Sequence, residues 1–165
     1  MRLVELSRSA HAGLRIRAAG AQATAASQHL IPIVVSEFRR CATQYPIVFA
    51  KNPHDGRFAP YVLTGLVPEE NLFWSGTELD VAYVPLNVRR QPFYVGGDSV
   101  LCIDLDSPCL DPAGPLTIVD TEGTDSAHLS GILAVLGELL GGRAPTETLV
   151  ARLLALNLLA PLLLD

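Results

Sequence analysis

This chain is short of charge. Only 18% of its 165 residues are Asp, Glu, Lys or Arg, against 49% apolar residues. Soluble domains commonly carry about 25% charged residues. So little charge implies either an unusually apolar surface or a surface that a partner covers. The 12 basic side chains are outnumbered by 17 acidic ones, for a net charge of −5. Arg39–Arg40 and Arg89–Arg90 are isolated pairs, not the basic stripe that nucleic acid requires. The balance fits an ordinary cytoplasmic protein.

Cysteine is scarce too. Cys41, Cys102 and Cys109 are odd in number and form no CxxC pair, which argues for free thiols in a reducing compartment. Met1–Gln28 contains no continuous apolar segment and does not read as a signal peptide. No run reaches the roughly 18 apolar residues of a membrane span. The nearest approach, Leu149–Leu164, contains Arg152, Asn157 and Pro161. GxSxG, Walker, HExxH and GxGxxG motifs are all missing, and the histidines are not at metal-ligand spacing.

What is present reads as one α+β domain, residues 29–165, behind a weakly patterned arm, residues 1–28, rich in small residues. Ile33–Thr43 has helical spacing of Val34, Phe38, Cys41 and Ala42, with Pro32 suited to the first turn and Glu37 and Arg40 placed to pair. Ile47–Phe49 and Tyr61–Leu66 flank the turn Asn52-Pro53-His54-Asp55-Gly56 and form a hairpin. Phe93–Val95 and Val100–Leu105, turned at Gly96-Gly97-Asp98, form a second. Pro85–Arg90 suits one or two helical turns, and Leu116–Val119 a short strand. Thr124 is a candidate N-cap for a helix to Leu140 with the stripe Leu129, Ile132, Leu133, Leu136 and Leu140. Gly141-Gly142 would end it, and a last helix would run from Pro145 or Thr146 toward Ala160. The expected fold is an antiparallel sheet built from two hairpins, with an N-terminal helix and two C-terminal helices packed on it.

Three blocks of this chain resemble the SapC family. The first is His29-Leu30-Ile31-Pro32, Ser36-Glu37-Phe38 and Tyr45-Pro46-Ile47-Val48-Phe49. The second is Gly65-Leu66 with Glu70-Asn71-Leu72-Phe73, and the third Tyr83-Val84-Pro85 with Arg89-Arg90-Gln91-Pro92-Phe93. The order and spacing agree over roughly Leu14–Leu164. The family is distinct from the peptide-transporter permease that shares its name. The resemblance implies a bacterial source and a link by name to a surface-layer operon. It also implies genomic company with flavin-dependent halogenases and cupin-type oxygenases. Two departures stand out. Family members usually continue past the position of Leu164, so this chain reads as a short member or a fragment. Gln91 stands where the family usually has an aromatic residue, which bears on any binding specificity nearby.

Candidate chemistry is sparse. His29 and Glu37 form a candidate acid–base pair. Arg89 and Arg90 are candidate anion ligands, or else partners of Asp80, Asp104 or Glu37. Together His29, Glu37, Arg89 and Arg90 make up the candidate small-ligand or enzyme site. Asp104 and Asp106 offer two carboxylates to a divalent cation but no third ligand, so no metal and no cofactor is expected. Of Phe73 and Trp74, one is expected to plug the core and the other to stay partly exposed.

Nine of the sixteen residues Leu149–Leu164 are Leu and cover a helix all round, so Leu154, Leu158, Leu159 and Leu162 are candidate interface residues for a second copy or a protein partner. The expected function is a non-enzymatic accessory or protein-interaction domain in a bacterial biosynthetic or envelope-related system. The alternatives are the small-ligand or enzyme site and a surface-layer component.

Overall fold

The computed structural model describes residues 1–53, 55–120 and 122–162. His54 of the expected turn, and Leu163 and Leu164 of the leucine-rich segment, lie outside the described residues. The fold is α+β. In chain order the elements are β1 (Leu3–Glu5), β2 (Arg15–Ile16), α1 (Ala19–Ala23), β3 (Leu30–Pro32), a 3₁₀ turn (Val35–Glu37), α2 (Phe38–Cys41), β4 (Ile47–Lys51) and β5 (Phe58–Leu63). Then come α3 (Leu86–Arg89), β6 (Phe93–Val95), a second 3₁₀ turn (Gly97–Ser99), β7 (Leu101–Asp104), β8 (Leu116–Thr117) and α4 (Ala127–Ala155).

Both expected hairpins form, but in different sheets. β4 and β5 pair antiparallel with Ile47 opposite Val62, and β3 joins the other edge of β5. Their turn is closed by the Asn52 N–H donating to the Arg57 carbonyl at 2.8 Å, and Gly56 supplies its φ of 70° at no steric cost. β6 and β7 pair with Phe93 opposite Ile103, and β1 completes that sheet as Leu3 opposite Asp104. A separate two-stranded pair joins β2 to β8. Residues 1–28 thus supply β1, β2 and α1, and they place Ile16, Ala21 and Ala25 in the core.

The expected helix Ile33–Thr43 is corrected to a 3₁₀ turn running into a single turn of α2. Pro32 ends β3 instead of opening a helix, because its neighbours pair with β5.

The larger correction is at the C-terminus, where one 29-residue helix, α4, replaces two. Its N-cap is Ser126, whose hydroxyl accepts the Leu129 N–H at 3.1 Å, while the Thr124 hydroxyl donates to Asp120 at 2.6 Å. Gly142 is not a cap. A Cβ there would sit 2.7 Å from the side chain of Val34, so glycine lets α4 lie directly against the 3₁₀ turn. One helical turn on, the Thr146 hydroxyl donates to the Gly142 carbonyl at 2.6 Å and accepts the Val35 N–H at 2.9 Å. Tertiary contact therefore carries the helix through Gly-Gly and Pro145.

The buried stripe of α4 is Leu129, Ile132, Val135, Leu136, Gly142, Thr146 and Val150. Leu133 and Leu140, expected in it, are exposed. The stripe packs on one core around Phe93, Ile103, Ile118 and Ile16, and through Val135 on Val34 and Leu86. A second core gathers Ile31, Ile33, Cys41, Tyr45, Val62 and Val88. Phe73 and Trp74 are both half-buried against it, with Phe73 edge-on to Tyr45 at 4.8 Å. The loop turns both rings toward one core and both stay partly exposed, so neither is the full plug that was expected.

Candidate functional site

Glu37 is the most constrained of the expected site residues. It is fully buried, where a carboxylate must be heavily bonded to persist. Its Oε2 accepts the Val34 N–H at 3.0 Å, and its Oε1 accepts the Leu86 N–H at 2.8 Å and the Tyr83 hydroxyl at 3.1 Å. One side chain thus ties the 3₁₀ turn to the start of α3. Burial pushes the Glu37 carboxyl up from its ordinary value; the Leu86, Val34 and Tyr83 donors work against that, and Glu138 adds to it. The Tyr83 phenol is pushed far up, first by burial and then by Glu37.

Arg40 does not pair with Glu37. Its guanidinium lies 4.7 Å from the centroid of the Tyr83 ring and pairs with Glu138 of α4. Burial alone would lower Arg40, but Glu138, Tyr83 and Glu37 hold it above its ordinary range. The group is a strut joining α2 to α4 across Tyr83. Cys41 beside it is buried, its thiol pushed up to about 12 by burial and by Glu37.

His29 is elsewhere. It is half-buried, its carbonyl accepts the Thr64 N–H at 2.8 Å, and its imidazole forms no hydrogen bond among the described residues. It is not bonded to Glu37. Arg89 and Arg90 diverge at the end of α3 and line separate cavities. Neither forms an ion pair among the described residues, so the expected partners Asp80, Asp104 and Glu37 are not theirs. Asp104 instead accepts the Arg2 N–H at 2.8 Å and the Asp106 N–H at 3.1 Å, and Asp106 pairs with the chain's amino terminus. The described residues contain no cluster of metal-ligating side chains.

Arg89 is exposed and borders a cavity of about 600 Å³ shared with Gln91, Tyr83 and His128. His128 Nε2 is buried there without a hydrogen-bond partner among the described residues, and burial lowers the imidazole pKa, which favours the neutral ring. Arg90 borders the other cavity, of about 450 Å³, between the β4–β5 turn, β6 and α4. Its Nε–H donates to Asn87 Oδ1 at 2.9 Å, its Nη1–H to the Phe93 carbonyl at 2.9 Å, and its guanidinium lies 4.0 Å from the Tyr94 ring centroid. Tyr94, Asn87 and Tyr83 went unread in the sequence, although their spacing from Arg90 at i−3 and i+4 and the Tyr83-Val84-Pro85 block were visible.

The leucine-rich end is exposed. Leu154 is 42% accessible, Leu156 61%, Leu158 62% and Leu162 62%, while Leu159 is half-buried. Asn157 stops the helix with a φ of 52°. Its N–H donates to the Leu154 carbonyl and the Leu158 N–H to the Leu153 carbonyl, the paired bonds of a Schellman end. No helix among the described residues is long and apolar enough to cross a membrane.

The sequence model of the SapC family matches residues 6–165, nearly the whole chain. No curated protein and no solved structure matches it.

Proposed function

The chain belongs to the SapC family, and on that premise we propose that it is a non-enzymatic accessory domain that works by protein association through the exposed end of α4. The observation that carries this reading is the run Leu154, Leu156 and Leu158, each more than two-fifths exposed at a capped helix terminus. Burying one such side chain contributes on the order of 1.5–3 kcal/mol. The surroundings favour a second copy as occupant. Arg152 is the single charge from Leu149 to Leu162, so two such ends meet with almost no charge to desolvate. The buried bonding of Glu37, and its separation from His29, Arg89 and Arg90, support a structural role for that residue. We place the domain in a cytoplasmic biosynthetic or envelope-related assembly of a bacterium. Sedimentation velocity over a dilution series tests the association: a concentration-dependent dimer supports it, and a monomer throughout the micromolar range removes it.

A further inference from the structure

We infer that the cavity beside Arg90 is a binding site for a small carboxylate with an apolar body. Its volume, about 450 Å³, is of ligand-pocket size. Arg90 is the fixed cation in it. Two of its five N–H groups are used, by Asn87 and by the Phe93 carbonyl, and the Tyr94 ring holds its plane. Beyond these two bonds and its interaction with Tyr94, the guanidinium forms no hydrogen bond or ion pair with another side chain among the described residues. A half-buried guanidinium that keeps donors unpaired is costly, and burial lowers its pKa accordingly. Its anchored plane suits a planar carboxylate, which can accept two parallel N–H bonds.

The rest of the lining completes the site. Leu136, Leu139 and Leu140 of α4 offer an apolar wall for a hydrocarbon or aromatic body. Arg57 and Arg143 are exposed and line the same cavity without ion pairs, adding positive potential. Asp55 and Glu147 line it too, so three arginines face two carboxylates and the lining keeps a single net positive charge. A single fixed fork beside a leucine wall matches a monocarboxylate better than a phosphate, which would call for more charge around it.

Calorimetric titration of the whole chain with phenylacetate and with hexanoate tests this, with 2-phenylethanol and inorganic phosphate as comparisons. The expected result is saturable binding of one or both carboxylates, with the alcohol and phosphate binding more weakly. Arg90→Lys keeps the charge but loses the planar fork, and is expected to weaken binding roughly tenfold or more. Leu139→Trp narrows the cavity without touching Arg90, and is expected to abolish binding while the circular dichroism spectrum stays native. It decides the matter should the Arg90 variant not fold. The inference is overturned by no saturable binding at millimolar carboxylate, by tighter binding of phosphate, or by binding that survives Leu139→Trp.

Discussion

At Glu37 one buried carboxylate joins two stretches of chain 49 residues apart in sequence. Glu37→Ala would orphan the Val34 and Leu86 N–H groups and the Tyr83 hydroxyl. Each unsatisfied buried donor costs about 1–3 kcal/mol, so the loss should reach at least about 3 kcal/mol by urea unfolding. The pH dependence has a definite sign. Because burial raises the Glu37 pKa in the fold, its contribution is complete below the ordinary Glu range and is lost as pH rises through the raised value. Glu37→Gln cannot ionise. Its stability relative to the native protein should therefore improve from about pH 4 to about pH 8 in parallel urea titrations. A flat difference would contradict the shift. The thiols separate by burial in the same way. Cys41 and Cys109 are buried and raised, whereas Cys102 is only half-buried. Brief alkylation of the native protein, read by intact mass, should modify Cys102 alone, and denaturation should release the other two.

Among the elements, α4 separates local signal from tertiary demand. Gly141 and Gly142 look alike in sequence but differ in surroundings. A Cβ on Gly141 meets nothing within 4 Å, while one on Gly142 meets Val34 at 2.7 Å. Gly141→Ala should therefore raise stability by up to about 1 kcal/mol through helix propensity. Gly142→Ala should lower it by about 1–3 kcal/mol through overpacking, despite the same gain in propensity. Thermal unfolding of the two variants checks the pair. This contrast also explains what the sequence could reveal. The two hairpins were legible because turn residues and alternating strands are local signals. The unbroken α4 was not, because Gly-Gly followed by Pro reads locally as a stop, and only contact with Val34 and Val35 shows why the helix continues. The Arg89–Arg90 pair was legible as an unusual charge, but adjacent residues at a helix end diverge, and the two cavities exist only after folding. Glu37 was legible as a candidate, whereas its role as a buried backbone acceptor depends on α3 arriving from far along the chain.

For the whole molecule, the low charge content noticed first has a definite location. The described core takes up most of the apolar stripe of α4 as far as Val150, and Leu154, Leu156, Leu158 and Leu162 beyond it remain in water. Whether this end is a contact surface between copies is decided by light scattering on purified native protein and on the Leu154→Glu/Leu158→Glu double variant. Both positions are exposed, so the substitutions should cost little stability, and unfolding curves should confirm that the variant remains folded. A native dimer at micromolar concentration and a folded monomeric variant are the expected result. A native protein that stays monomeric, or a folded variant that still dimerises, would contradict it.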